Sequence, residues 1–167
     1  MTVRYSQLMK MNFEEPETYR TKKSVMLDTC FIIHEVTNQR EKKLLEFCEE
    51  NEVLITSFNL KELKHVSKKL GHDKKIIKDF LNKAKITIIH LPVSPGQKEK
   101  ERNYINNFDP ELMKKIRDPS DAVLVVSVIK SKSDILTRDK HHLFTTTLEE
   151  ELKEYKISVY NDLSKYD

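Results

Sequence analysis

The chain has 167 residues, enough for one domain with a sizeable core, and its charged residues, 34% of the total, balance to only +3. Net charge therefore does not by itself announce a nucleic-acid protein, and no apolar run approaches the roughly 20 residues of a membrane span. Two cysteines, Cys30 and Cys48, with no CxxC pair, argue against a disulfide framework or a zinc site. Charged residues interrupt the first stretch of sequence where a signal-peptide core would lie, so a cytoplasmic protein with buried thiols is expected.

Residues 1–23 are polar and of mixed charge, with scattered apolar anchors and Pro16 as a breaker, and read as an N-terminal arm to a domain spanning 24–167. Val25, Met26 and Leu27 form a buried strand that ends on an acid, Asp28. A short helix over Phe31 to Val36 and a second over Glu41 to Glu50 return the chain to a β-branched run, Glu52 to Ser57. Strand, helix and strand in that order imply a parallel sheet with right-handed crossovers.

From Asn59 to Leu70 the apolar residues fall on one helical stripe, with Lys61, Lys64 and Lys68 opposite and Glu62 at the seam. This is the start of a basic stretch, Asn59 to Lys85, in which nine lysines face three acids. Gly71 is expected to close that helix and Asp73 to open the next; Ile86 to Leu91 is a third strand. Two modest helices follow, over Gln97 to Asn107 and Pro110 to Ile116.

The run from Asp118, DPSDAVLVVSVI, has the valine content of a strand but the opening of a helix. Asp118 is a capping acid, Pro119 suits the first helical position and Asp121 sits in the first turn, so a buried helix is expected. A fourth strand runs from Asp134 to Arg138 into Asp139, and a fifth, Ile157 to Tyr160, follows an acidic helix over Leu148 to Tyr155.

Four carboxylates stand where they could meet: Asp28, Glu62, Asp121 and Asp139. Each also has a local role open to it, as strand end, surface acid, helix-terminal charge or turn residue, and Asp118 caps its helix whatever else it does. Together they converge on one edge of the expected sheet, where α/β folds place their ligands. Like charges so close raise one another's pKa unless a cation intervenes, and oxygen-only ligands favour Mg²⁺ or Mn²⁺. His141 and His142, beside Asp139, are expected in a polar loop at the rim, because no second His or Cys cluster completes a tetrahedral site.

VMLDTCFII, ITSFNLKEL, DPSDAVLVVSV and ILTRDKHHL, in that order and spacing, resemble the PIN-domain family of metal-dependent ribonucleases. The resemblance implies a three-layer α/β/α fold with a parallel sheet of about five strands in the order 3-2-1-4-5. It implies Asp28, Glu62, Asp121 and Asp139 as the catalytic metal ligands, with Thr29, Ser57 and Thr137 as hydroxyls beside them; Asp118 has no firm role in the family and is either a supporting acid or the cap alone. Hydrolysis of RNA phosphodiester bonds, endonucleolytic in expectation, follows, and the lysine face read above, Lys61, Lys64 and Lys68, is then expected to meet the phosphate backbone. The resemblance leaves open a toxin-type or an RNA-processing role, a protein partner to match (an antitoxin or a processing complex), and a homodimer. The alternative is a catalytically idle PIN-fold protein that binds RNA or serves as a scaffold. A phospho-acceptor receiver domain is disfavoured, since the third strand ends in His90-Leu91-Pro92 where its acceptor acid would stand.

Overall fold

The computed structural model describes residues 23–69, 71, 73–138 and 145–166. The N-terminal arm up to residue 22, together with Asp139, His141 and His142, lies outside the described residues. Five short strands, β1 (Val25–Leu27), β2 (Val53–Thr56), β3 (Thr87–Ile89), β4 (Asp134–Leu136) and β5 (Val159–Tyr160), form one parallel sheet in the order 3-2-1-4-5. The register aligns Val25 with both Val53 and Asp134, so β1 is the central strand and its end, Asp28, is the middle of the carboxyl edge.

Helices α1 (Thr29–Thr37), α2 (Glu41–Glu50), α3 (Ser57–Ser67) and α4 (Asp73–Lys83) cover one face of the sheet. Helices α5 (Lys98–Phe108), α6 (Leu112–Lys115), α7 (Pro119–Ser131) and α8 (Thr146–Glu154) cover the other. The period-2 alternation of the strands divides the core accordingly. Val25, Leu27, Val53 and Ile55 pack with Phe31, Leu44, Leu63 and Phe80, whereas Met26, Leu54 and Ile135 pack with Ile105, Val123, Val126 and Leu152.

The valine-rich segment is a helix, α7, and its sequence shows why. The Asp118 side chain accepts the Ser120 amide at 3.0 Å, Pro119 takes the first turn, and Lys132, in the left-handed region at φ 52°, ends the helix. Burial on nearly every side then makes β-branched residues tolerable. Other boundaries shift. The second strand stops at Thr56 because its hydroxyl accepts the Asn59 amide at 2.9 Å, so Ser57 opens α3 instead of ending a strand. The helix expected over Pro110 to Ile116 shrinks to α6, since Asp109 Oδ1 accepts the Glu111 amide at 3.0 Å and holds a turn there.

The described ends of the chain meet at the amino edge of the sheet. Lys23 Nζ pairs with Asp134 Oδ1 at 2.8 Å at the start of β4, and the Tyr166 hydroxyl donates to the Lys23 carbonyl at 3.0 Å.

Candidate active site

Chain geometry delivers the acids to one place. Asp28 follows β1 directly, Glu62 lies on α3, which springs from the end of β2, and Asp121 sits in the first turn of α7. All three line a single cleft of about 730 Å³ at the carboxyl edge of the sheet, together with Thr29, Cys30, Lys61 and Ser120.

Asp28 is only 8% exposed. Its Oδ2 accepts the Thr137 hydroxyl at 2.8 Å and the Cys30 thiol at 3.1 Å, and its amide is tied to the Leu136 carbonyl across β4. The Cys30 thiol is pushed up to about 12, first by burial and then by the Asp28 charge, so it stays a protonated donor. Thr29 donates to the Asn59 carbonyl at 3.2 Å and stands 3.5 Å from Glu62 Oε2. Asn59 is itself buried and held by Thr56 at 2.6 Å, so β1 and α3 share one polar seam beneath the acids.

Glu62 carries the electrostatic signature of the cleft. Burial and then the charges of Asp28 and Asp121 push its carboxyl up from 4.5 to about 7. In the metal-free protein the folded state therefore holds a proton there that the unfolded chain releases near 4.5. The contribution of Glu62 to stability is fully present below about 4.5 and is lost as pH rises through about 7. In chelator, the melting temperature of the wild type is expected to fall relative to that of Glu62→Gln across that window; parallel curves would show that neither burial nor the other acids raise the Glu62 carboxyl.

The donor chemistry fits a hard divalent ion: the facing groups are carboxylates from three elements, and the raised Glu62 carboxyl marks negative charge in want of a cation. Among the described residues no three His, Cys, Asp or Glu side chains stand close enough to hold an ion as they are placed. The fourth predicted acid, Asp139, lies outside the described residues.

The other residues singled out in the sequence fall less neatly. Thr137 touches Asp28 and Thr29 reaches Glu62, as expected of hydroxyls beside acids. Ser57 does not: its hydroxyl accepts the Leu91 amide at 2.9 Å and ties α3 to the segment after β3, away from the carboxylates. Asp118 caps α7 and pairs with Lys98 Nζ at 2.9 Å. Burial raises its carboxyl, but the Lys98 and Ser120 hydrogen bonds win and hold it below the usual carboxylate range. Lys61 lines the cleft and donates to Ser94 Oγ at 2.7 Å, whereas Lys64 on α3 and Lys68 just past its end are exposed outside the cleft lining. Sequence reasoning missed Cys30 and Asn59 as site residues; the only signal for Cys30 was its place two residues after Asp28.

Fold and cleft define a class, an α/β/α domain whose carboxylates gather beyond the carboxyl ends of a parallel sheet. Residues 25–146 match the PIN domain family, and the chain belongs to that family, whose members are in general nucleases. No curated protein sequence matches the chain. Among solved structures it is similar to VapBC2 from Rickettsia felis, bound to a DNA fragment from their promoter, with a TM-score of 0.55 and 17% identity over 83% of this chain and 99% of that one. It is also similar to a domain of a functionally unknown protein from Methanocaldococcus jannaschii, at a TM-score of 0.48 and 16% identity over 87% of this chain and 96% of that one. At such identities the likeness to VapBC2 speaks for the fold alone.

Proposed function

We propose that the protein is a ribonuclease that cuts RNA internally with a divalent ion, Mg²⁺ or Mn²⁺, held by Asp28, Glu62 and Asp121 together with Asp139. The observation that carries this reading is the raised carboxyl of Glu62 in a cleft it shares with Asp28 and Asp121. Such a group is costly to keep ionised, and a cation relieves the cost. A bound divalent ion supplies an acidified water and neutralises charge that develops on the phosphate. Thr137 and Cys30 fix the Asp28 carboxylate, Thr29 steadies Glu62, and Lys61 at the rim meets a substrate phosphate. No side chain need form a covalent bond to the substrate.

In this proposal residues 24–167 are the nuclease unit, 1–23 an arm, and the cytoplasm the place of action; no described helix is long and apolar enough to cross a membrane. The solved relative named above is a complex, which supports a search for a protein partner of this chain by co-purification.

The test is cleavage of a panel of labelled RNAs in Mn²⁺, Mg²⁺ or chelator by the wild type and by Asp121→Asn purified in parallel. Cutting that needs the metal and disappears in the variant is the expected result. Intact RNA in every lane with binding retained would replace the nuclease by an idle RNA-binding scaffold.

A further inference from the structure

A second cleft, of about 450 Å³, opens on the other side of Asp121, between the approach to α7 and the start of α8. Asp121 lines both clefts and so stands at their junction. The floor of the second is apolar, made by Ile116 and Leu148, each nearly buried. Its rim carries the Thr145 and Thr147 hydroxyls and the Arg117 guanidinium.

Of the three carboxylates that line this cleft, two are paired with lysines and the third is Asp121, the acid it shares with the first cleft. Asp118 is held by Lys98 at 2.9 Å, and Glu151 by Lys115 at 2.8 Å, so neither carboxylate confronts an incoming anion alone. Arg117 makes no ion pair among the described residues and is exposed. The cleft thus offers an exposed planar cation without an ion pair among the described residues, an apolar floor and hydroxyls, beside Asp121 of the first cleft. An anionic ligand with a flat apolar face suits it, and its volume lies in the ordinary range for small ligands, about 300–1,000 Å³.

An enzyme that cuts within a strand must grip the strand on both sides of the phosphate that reacts. The first cleft has Lys61 on its side of Asp121, and the second has Arg117 on the other. We propose that the second cleft seats the nucleotide of single-stranded RNA that lies across the cut from Lys61. Its base rests on Ile116 and Leu148, and Arg117 binds its phosphate bidentately. The proposal rests on the nuclease reading and adds the path of the strand to it.

The experiment pairs Arg117→Ala, which removes the cation, with Thr147→Trp, which fills the cleft from an exposed position. Lys153→Ala, exposed on α8 and outside both clefts, is the control. Binding of a fluorescein-labelled oligouridylate is read by anisotropy in Ca²⁺ over a range of salt, and cleavage of RNAs extended one nucleotide at a time on either side of the cut is read in Mn²⁺. Both site variants should bind about tenfold more weakly, and only Arg117→Ala should lose about one unit of salt slope. Extension on one side should raise kcat/KM for the wild type and the control but not for Thr147→Trp. Wild-type cutting and binding matched by both variants would overturn the second cleft and leave the nuclease standing. A wild type that neither binds nor cuts RNA in any metal would overturn both.

Discussion

Asp28→Asn should lower metal-dependent cleavage, and affinity for Mn²⁺ by calorimetry, by more than about a hundredfold while the domain stays folded. Loss of a residue that merely orients a metal ligand costs about 10–100-fold, and a ligand itself should cost more. The geometry makes the substitution harsher than its small change in shape suggests. Thr137 and Cys30 both donate to Asp28 Oδ2, at 2.8 and 3.1 Å, and require an acceptor there. In asparagine that acceptor is the carbonyl, which turns the amide so that Nδ2 takes the place of Oδ1. An amide nitrogen cannot ligate a cation. In chelator the variant should melt at or above the wild-type temperature, because one of the charges that raise the Glu62 carboxyl is gone. Cleavage at the wild-type rate would remove Asp28 from the metal site, and collapse of the fold would make it a structural acid.

The second large effect concerns stability. Arg40→Met should destabilise the domain by about 1–3 kcal/mol, the cost of leaving a buried polar group short of a partner, less than for a fully buried pair because the Arg40 side chain is 29% exposed. For a chain of this length that is a melting temperature lower by roughly 5 °C. Glu35 on α1 is fully buried, and Arg40 Nε stands 3.0 Å from its Oε2 in a charge contact that is not aligned as a hydrogen bond. Arg40 also reaches Asp162 at 3.3 Å, so one guanidinium fastens the helix that follows Asp28 to the end of the chain. The contact closes over the turn at Gln39, whose φ of 59° is left-handed. Glu35→Met combined with Arg40→Met should recover most of the loss, since no buried charge is then left alone. A double variant as unstable as the single would show that packing of the arginine stem, not its charge, matters.

The sheet was legible in the sequence because its strands are short apolar runs punctuated by acids and breakers, and because β1, β2 and β4 each end at a polar residue that the cleft uses. The helix at Pro119 was legible for a different reason: Asp118, Pro119 and Asp121 are local signals that outweigh valine preference, and they act within a single turn. What was hidden depends on neighbours far along the chain. The tie from Ser57 to Leu91 and the pairing of Asp118 with Lys98 are set by how α3 and α5 dock. The pattern that grouped Lys61, Lys64 and Lys68 describes a helix face, but only tertiary packing decides that Lys61 lies at the cleft. Cys30 was read as an ordinary buried thiol, since nothing local reveals that its hydrogen points at Asp28.

The meeting of Lys23 and Tyr166 has a practical corollary. A three-residue strand is only about 10 Å long, yet it puts the acids at one edge of the sheet and both described chain ends at the other. A fluorophore or a surface tether attached near these described ends, at the exposed Lys165 for instance, starts from the side away from the cleft. Immobilised through that position, the protein keeps the carboxylates facing the solution, the orientation in which single-molecule capture of a strand would be watched.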